Sequence, residues 1–449
     1  MVTNLRWSRP FGRPRTDLMA ATDSASPPPS LGSVLLAVAP LLFSAAIMIM
    51  GNGLFGTLVA VRMDLDGIDV GTIGLVLAFY SGGFALGTLI CPRIVLLVGH
   101  IRTFAAFAAI ASVVALLHAL WLDPIVWAAL RFVTGISMAV LFTIIESWLN
   151  ARAVNAVRGR VMSSYMAVNY TAFGLSQPWL TIMDPASFAL FSVVAMLISL
   201  SLVPLSLTPV ETPPVIKVKR FGLRALIAIS PLGVAGCVSV GLISAAFSGM
   251  GPVYARTIDP SPDWIASFMM TAIFAGFLLQ YPVGRLSDRF DRRQVFLGIT
   301  IALALISAAL ALFGGTSMTL LLVLLAAFGG LSYTIYPLSL SHANDFMTPE
   351  QLVPAAAGLL LCYGTGAVVG PIAASRVMQL LGPDGLFVWT GSVAALLALF
   401  TVYRMTRRAA KPNQEQGSFV SVAPMTTPVA AELDPRAPDE TPPTLRDAA

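Results

Sequence analysis

Long apolar runs alternate with short polar breaks along most of this chain. Each run is about 20 to 30 residues long, the helix length that crosses a hydrocarbon core of about 30 Å. Because backbone amides in lipid must pair within their own segment, each run predicts a helix, and the chain an all-α membrane protein. The breaks place twelve spans near residues 33–61, 71–98, 103–122, 125–150, 160–183, 186–207, 223–252, 264–286, 295–314, 318–343, 352–381 and 385–405.

The composition agrees with a chain that lies mostly in lipid. Hydrophobic residues make up 57% of it and charged residues 11%, whereas soluble domains carry about 25% charged residues. The three cysteines, Cys91, Cys237 and Cys362, all fall in apolar runs without paired spacing. They are typical of small packing residues, so we expect no disulfide, no metal site and no cofactor.

Basic residues are distributed unevenly between the two ends of the spans. With twelve spans both termini lie on one face, which we call the terminal face. Of the basic residues near span ends, only Arg62 and Arg256 fall on the opposite face. Because basic loops remain in the cytoplasm, both termini are predicted to be cytoplasmic. The pI of about 9.3 follows from this topology, and no nucleic-acid partner is needed to explain it.

The segments outside the spans are more polar. Residues 1–32 are predicted to be a disordered basic cytoplasmic leader, which stays attached because the apolar run after it is too long for a signal peptide. Residues 208–222 form a predicted cytoplasmic linker between bundles at 33–207 and 223–405. The stretch 406–449 is rich in Pro, Ala, Thr and acidic residues, which predicts a disordered cytoplasmic tail. The sequence assigns it no function.

The two halves share short matches at a nearly constant offset. Ser81-Gly82-Gly83-Phe84 corresponds to Phe274-Ala275-Gly276-Phe277 at an offset of 193 residues, and Phe142-Thr143-Ile144 corresponds to Tyr333-Thr334-Ile335 at 191. Each match alone is weak, but the shared offset favours two copies of a six-helix bundle. Repeats of this kind are typical of transporters that bind substrate between the halves and work by alternating access.

Three motifs resemble signatures of the major facilitator superfamily. Gly284 to Arg293 resembles the loop signature G-x-L-x-D-R-x-G-R-R, with Asp291 in place of the second glycine. Leu130 to Gly135 is similar to the fourth-helix R-x-x-x-G element, and Gly366 to Pro371 is similar to G-x-x-x-G-P. The resemblance implies twelve transmembrane helices in two pseudo-symmetric six-helix bundles. It also implies that helices one, four, seven and ten line the central cavity.

Further segments are similar to the YcaD-like branch of that superfamily. They are Gly51-Asn52-Gly53-Leu54, Pro92-Arg93 with Val98-Gly99-His100-Ile101-Arg102, Glu146-Ser147-Trp148-Leu149-Asn150 and Ser341-His342-Ala343-Asn344-Asp345. The resemblance implies a monomeric, multi-pass protein of the bacterial inner (plasma) membrane, with the lipid bilayer and a small-molecule substrate as partners. One departure is that Cys91 to Arg102 lacks the aspartate of the loop signature, which predicts weaker charge gating in the first half.

Polar side chains inside the spans are candidates for transport because they are costly in lipid. Arg131 and Asn52 face the substrate if helices four and one line the cavity; alternatively, they tie neighbouring helices together. Tyr333 and Tyr336 offer aromatic faces with hydroxyls, which suit sugars, aromatic compounds or amphipathic drugs, or they are ordinary packing residues. Glu146 is a candidate for proton coupling, or forms an interfacial ion pair with Arg93, Arg102 or Arg160.

Charged residues at the inner span ends predict a cytoplasmic gate. By resemblance, Asp288 docks near the start of span five, close to Arg158 and Arg160, when the cytoplasmic side is shut. The predicted gate consists of Arg93, Asp288, Arg289, Arg292, Arg293, His342, Asn344 and Asp345. Gly366, Gly370 and Pro371 are a candidate hinge, because proline removes a backbone donor and glycine permits close packing.

The motifs of common enzyme classes are missing from the sequence. There is no GxxxxGK[ST], no GxSxG and no His, Cys and carboxylate group with metal-ligand spacing, so we expect no enzyme. The leading hypothesis is a secondary active transporter for a small organic solute, with protons as the expected driving ion. An uncoupled facilitator, and a non-transporting sensor or scaffold with the same fold, remain the alternatives.

Overall fold

A computed structural model describes residues 31–152, 157–207, 222–424 and 426–434. The predicted leader and linker lie outside these residues except at their last positions. Twelve long helices follow one another in these residues, and a short helix, Leu223–Ile229, precedes the seventh. The long helices are α1 Leu31–Leu65, α2 Val70–Val98, α3 His100–Leu120, α4 Pro124–Arg152, α5 Arg158–Leu175, α6 Ala189–Ser206, α7 Pro231–Ile258, α8 Pro262–Arg289, α9 Arg292–Phe313, α10 Met318–Asn344, α11 Pro349–Leu381 and α12 Gly385–Arg407.

Eleven helices in the described residues are long and apolar enough to cross a membrane, and α5 is the exception. Its first turn carries Arg158 and Arg160, and Asn169 lies in its second half. The helix ends at Leu175, and a 3₁₀ turn over Gln177–Thr181 follows. Because α5 packs between α1 and α8, much of its surface is shielded from lipid, so it tolerates more polar residues than its neighbours.

The helix contacts repeat between the two halves with a shift of six helices. The pair α2 and α4 corresponds to α8 and α10, and the pair α3 and α6 corresponds to α9 and α12. Between the halves, α2 packs on α11 and, equivalently, α8 packs on α5. This pattern confirms the predicted two pseudo-symmetric bundles.

Small residues explain why the equivalent helix pairs pack so closely. A Cβ at Gly83 of α2 would lie 2.0 Å from the carbonyl oxygen of Phe132, and one at Gly135 of α4 would lie 2.1 Å from that of Tyr80. In the second half, a Cβ at Gly329 of α10 would lie 2.3 Å from the carbonyl oxygen of Ala272 in α8. Such contacts let membrane helices approach each other's backbones, and here they occur in both copies.

The candidate hinge lies where α11 crosses α7. A Cβ at Gly366 would lie 2.1 Å from the carbonyl oxygen of Val238, and one at Gly370 would lie 2.8 Å from that of Leu242. Both contacts are on or beside a single π-helical turn, Gly241–Ala245, in the middle of α7. Turns of this kind are frequent at functional sites. A hinge role for this crossing stays a prediction.

Polar contacts join the two halves on the face opposite the termini. The Arg256 guanidinium of α7 pairs with the Asp64 carboxylate of α1, and the Gln379 amide of α11 donates to Asp69 at 2.9 Å. Asp69 also caps α2 by accepting from the Thr72 N–H. Hydrogen bonds from Thr72, and that from Gln379, hold the pKa of Asp69 below its ordinary value. The halves are therefore tied together at this face.

The C-terminal segment differs from the predicted tail. Residues 413–424 and 426–434 fold back against the terminal face, and Val422, Ala430 and Leu433 are buried there. The physical reason is that this segment contains enough apolar side chains to fill the gap between the bundles, so composition alone underestimated its order. Residues beyond Asp434 lie outside the described part of the chain.

Candidate functional site

A cavity of about 140 Å³ lies between the two halves. It is lined from the first half by α1, α2, α4 and α5, and from the second by α7, α8, α10 and α11. This volume holds several waters or a small organic molecule. Its polar wall comprises Asn52, Thr57, Tyr80, Ser81, Arg131, Asn169, Tyr170, Ser244, Ser248, Tyr333 and Tyr363. We call this space the central cavity.

Arg131 is the cationic side chain of the central cavity wall. Its guanidinium carbon lies 4.6 Å from the ring centroid of Tyr80 and 5.4 Å from that of Phe55. The Asn52 amide donates to the Tyr80 hydroxyl at 3.2 Å. The two candidates from the first half therefore contact the same tyrosine, Asn52 at its hydroxyl and Arg131 over its ring, which stabilises the cation through its ring face.

Several buried polar atoms in this wall have no hydrogen-bond partner in the part of the chain that the structure describes. They are Nε and one terminal nitrogen of Arg131, Nδ2 of Asn169 and Oγ of Ser244. The three side chains are 3 to 8% exposed. Buried polar groups in folded proteins are normally paired. The central cavity therefore offers unused hydrogen-bond donors to whatever fills it.

Tyrosines from both halves line the central cavity. The rings of Tyr333 and Tyr170 are 5.9 Å apart, and the Gln280 amide donates to the Tyr170 hydroxyl and to the carbonyl oxygen of Tyr333, both at 3.1 Å. Gln280 thereby fixes α5, α8 and α10 relative to one another. Tyr336 lies one turn further toward the terminal face and does not line the central cavity; its ring is 5.5 Å from that of Tyr363.

Glu146 also lies outside the central cavity, near the inner end of α4. It is completely buried and accepts from the Tyr165 hydroxyl at 3.1 Å. Its other oxygen accepts from the Thr427 N–H at 2.9 Å and from the Thr427 hydroxyl at 2.5 Å. Among the described residues it forms no salt bridge, so the predicted alternative of an ion pair with Arg93, Arg102 or Arg160 is not what the structure contains.

The predicted gate residues of the second half converge on Arg292, which is 1% exposed. Its guanidinium pairs with Asp345 at 2.5 Å and with Asp288 at 3.4 Å. It also donates to the carbonyl oxygen of Gly417 at 2.7 Å. Arg292 therefore joins the end of α8, the start of α9, the end of α10 and the C-terminal segment.

The remaining gate candidates surround this cluster less closely. Asp291, which replaces the signature glycine, caps α9 and pairs with Arg293 at 3.1 Å. His342 is buried with its ring 5.3 Å from that of Phe346, and Asn344 is buried beside the C-terminal segment. Arg93 and Arg289 are exposed. The structure thus brings together only part of the predicted gate.

Sequence reasoning missed several cavity residues. The sequence does not single out Tyr80 and Tyr363, whose carbonyl oxygens would lie 2.1 and 2.2 Å from a Cβ at Gly135 and at Gly241. Ser244 and Ser248 lie one turn apart on the cavity side of α7. A short hydroxyl in an apolar span is common and carries little signal by itself. Only the relative rotation of the helices selects these residues.

Comparison with known proteins identifies membrane transporters that this chain resembles. Residues 236–433 match the model of the Major Facilitator Superfamily. The chain is 28% identical over 378 residues to proteins described as uncharacterized MFS-type transporter YcaD, from Shigella flexneri and from Escherichia coli O139:H28. Each alignment covers 80% of this chain and 93% of the relative.

Solved structures share the fold at low sequence identity. The nucleoside transporter NupG superposes with a TM-score of 0.67 at 13% identity, covering 83% of this chain and 100% of its own. An inward-facing, unoccupied bacterial homologue of the human lysosomal transporter Spinster gives a TM-score of 0.67 at 12% identity, covering 86% and 98%. At such identities the likeness concerns the fold alone.

Proposed function

We propose that this chain is a membrane transporter of the major facilitator superfamily, to whose model and YcaD-type members it is similar, and that it moves a small organic anion through the central cavity by alternating access. The observation that carries the proposal is the Arg131 guanidinium, buried in the cavity wall with two nitrogens unpartnered among the described residues. A buried cation without an acceptor is costly. An anionic group bound beside it removes that cost.

The other unpartnered groups fit the same chemistry. Asn169 contributes an amide donor and Ser244 a hydroxyl, and both belong to halves that face each other across the central cavity. A carboxylate accepts several hydrogen bonds at once, and bonds to charged groups are shorter and stronger than neutral ones. Because the donors come from both halves, one bound anion also contacts both bundles across the interface along which they move.

The rest of the wall supports an organic rather than an inorganic anion. Tyr80, Tyr170, Tyr333 and Tyr363 present ring faces, and Phe173, Leu77 and Met269 complete an apolar lining. Sites for small organic molecules are typically apolar and aromatic with a few placed polar groups. A carboxylate attached to a short hydrocarbon or aromatic body matches this combination.

Proton coupling through Glu146 is the second part of the proposal. A carboxyl group buried in a membrane protein is a typical site of proton uptake and release. Tyr165, which donates to Glu146, lies one helical turn before Asn169 of the cavity wall. Occupancy of the cavity is therefore linked to the carboxyl through two neighbouring residues of α5.

The orientation is also proposed: both termini face the cytoplasm of a bacterial cell. The charge distribution at the span ends supports it, because basic loops remain inside. The measurement is fluorescence and phosphatase activity of reporters fused after Ala449. A fluorescent cytoplasmic reporter and an inactive phosphatase are expected, whereas an active phosphatase would overturn the orientation.

The anion proposal is tested by ligand-induced stabilisation of purified protein. The probes are a panel of small mono- and dicarboxylates, each paired with its neutral amide. We expect some carboxylates to raise the unfolding temperature and their amides to have no effect. In Arg131→Gln the apparent affinity should fall by about 10- to 100-fold, which corresponds to the ~1.5–3 kcal/mol of a hydrogen bond to a charged group.

Two variants control this measurement. Arg131→Lys keeps the charge but loses the planar fork, so it should retain part of the effect. Arg376→Gln removes an exposed arginine outside the cavity and should change nothing. The anion proposal fails if amides stabilise as well as carboxylates, or if Arg131→Gln binds normally.

The role of Glu146 is tested with proteoliposomes and the carboxylate found in that screen. In chains shortened after Pro412, an imposed pH gradient should drive its accumulation when Glu146 is retained, while Glu146→Gln should exchange substrate but no longer accumulate it. Because Glu146 also binds Thr427, both proteins are compared with and without residues 413–449. Equilibration of the substrate without accumulation, whether or not a pH gradient is imposed and in every version of the chain, would instead favour the uncoupled facilitator.

A further inference from the structure

The C-terminal segment lies in the gap between the two bundles on the terminal face, which we call the vestibule. The vestibule wall contains Met162 of α5, Tyr336 and Leu340 of α10, and Ala356 and Leu360 of α11. Residues from both halves therefore surround the segment. The halves are tied together on the opposite face, so the vestibule is the side on which the bundles diverge.

Hydrogen bonds hold the segment along its length, and their partners belong to both halves. The Phe419 N–H donates to Asp288 of α8 at 2.8 Å, and the Ser421 hydroxyl donates to Gln280 at 3.2 Å. Further along, Thr427 donates twice to Glu146 of α4. Because the segment binds α8 and α4 at once, it bridges the interface between the two halves, which move relative to each other in alternating access.

Apolar burial adds to these bonds. Val422, Ala423, Ala430 and Leu433 are at most 7% exposed, which is the burial of core residues and not of a surface tail. The Phe419 ring packs against Gly284, where a Cβ would lie 2.6 Å from a ring carbon. The leading glycine of the loop signature therefore makes room for a tail side chain.

The tip of the segment reaches the substrate site. Ala423 and Pro424 form part of the wall of the central cavity, so the segment closes that cavity on the side of the terminal face. Its entry point is fixed by Gly417, whose N–H donates to Asp345 at 3.0 Å and whose carbonyl oxygen accepts from Arg292 at 2.7 Å. The gate cluster of the second half therefore binds the tail.

We propose that residues 413–434 are a built-in plug of the vestibule that keeps the transporter inactive until the segment leaves. The plug acts in two ways. It covers the exit of the central cavity toward the terminal face, and it occupies the space into which the bundles must close to complete the alternating cycle. The first effect is a property of the cavity alone, and the second rests on the transport function proposed above.

The competing explanation is a permanent structural brace. Both explanations assign the same contacts to the segment, but they predict different effects of removing it. Removal of a brace leaves a misfolded or unstable protein, whereas removal of a plug leaves a folded protein with an open vestibule. A test of accessibility with a parallel measure of folding separates the two.

The probe is a reactive cysteine in the vestibule wall. Cys91, Cys237 and Cys362, which are all buried, are replaced by alanine, and Ala356→Cys is introduced beneath the segment. The rate of its reaction with a charged maleimide is measured in purified protein. A second reporter, Arg102→Cys, lies at an exposed position on the terminal face and monitors general reactivity.

Two full-length variants introduce the same residue at different depths of the segment. Leu433→Glu places a carboxylate at a position that is 0% exposed, and it should expel the segment because a buried charge without a partner is costly. Gln414→Glu places it at an exposed position. We expect Leu433→Glu to raise the labelling rate of Ala356→Cys at least about tenfold, the change that ~1.4 kcal/mol of lost binding free energy produces, and Gln414→Glu to leave it unchanged.

Shortening the chain after Pro412 provides the second variant. It should show the same fast labelling with an unchanged unfolding temperature, and a synthetic peptide of residues 413–434 should restore slow labelling, while a scrambled peptide should not. Fast labelling in the wild type, or slow labelling in all variants, would overturn the plug. Loss of cooperative unfolding after shortening would establish the brace instead.

These outcomes are independent of transport. If the vestibule opens as expected but no carboxylate binds or moves in any version, the plug stands and the proposed substrate is wrong. If carboxylate flux through the full-length chain equals that of the shortened chain while labelling differs, the segment covers the cavity without restraining the cycle.

Discussion

Arg131 illustrates how a single side chain acquires a role from its surroundings. Its position inside an apolar run predicts that the guanidinium is paired or hydrated. In the structure it stacks on Tyr80 and keeps two nitrogens unpartnered among the described residues. Asn52 and Tyr333 line the same cavity. Those three candidates follow from the cost of polar groups in lipid, whereas Tyr336 and Glu146 belong to the vestibule instead.

Two adjacent glycines give a residue-scale prediction. Gly83→Ala should lower the unfolding temperature in detergent, because its Cβ would lie 2.0 Å from the carbonyl oxygen of Phe132. Overpacking costs about 1–3 kcal/mol, or roughly 2–4 °C for each kcal/mol. Gly82→Ala is the matched control, since its Cβ would have its nearest contact at 3.7 Å. Equal unfolding temperatures for the two variants would contradict this account of the α2 and α4 contact.

At the scale of elements, the start of α2 combines a local and a long-range function. Asp69 caps the helix through Thr72 and accepts from Gln379 of α11. The cap is readable from the sequence pattern of an aspartate before an apolar run. The contact with Gln379, 310 positions away, is not, because it depends on how the two bundles meet.

The pH dependence of this cap can be measured. Asp69→Ala should lower stability by about 0.5–2 kcal/mol, the usual cost of losing an N-cap. Hydrogen bonds depress the pKa of Asp69 below its ordinary value of 3.8. The contribution of its carboxylate to folding stability is therefore fully present above the unfolded-state pKa and is lost as the pH falls through the lower folded-state pKa. The difference in unfolding temperature between wild type and variant should therefore be constant from neutral to mildly acidic pH and shrink only in stronger acid. A difference that already vanishes near about pH 5 would contradict the depressed pKa.

The C-terminal segment is the element that the sequence predicted least well. Proline and acidic residues around it favour disorder, and the local pattern contains no helix or strand period. Val422, Ala430 and Leu433 become buried only because a gap of matching shape lies between the bundles. Conversely, α5 is too polar to be recognised as a membrane span from its composition. Its place between α1 and α8 explains how a helix of this polarity is accommodated in the bundle.

For the whole molecule, the two faces are in different states. Asp64 pairs with Arg256 across the halves on the face opposite the termini, whereas on the terminal face residues 413–434 lie between them. A segment that occupies the vestibule favours the arrangement in which the bundles stand apart on that side. We expect its removal to shift the equilibrium toward closure, because a ligand of one conformation stabilises that conformation.

This shift is testable by distance measurement. Spin labels at Arg102 and Glu350, both exposed on the terminal face but in opposite halves, should report a new, shorter distance when residues 413–449 are removed. Labels at Arg102 and Arg160 within one half should be unaffected. Identical distance distributions for the full-length and shortened chains would show that the segment does not restrain closure.

The sequence by itself determined the number of spans, the duplicated plan and the polar residues that lie inside the spans. It did so because every segment in a bilayer must be apolar and must pair its backbone amides within itself, and both requirements can be recognised in a short stretch of sequence. Tertiary structure decided which side of each helix faces the central cavity, how Arg131 meets Tyr80, and where the C-terminal segment binds. These outcomes depend on rotation and spacing of helices that are far apart in the chain, and no local pattern encodes them.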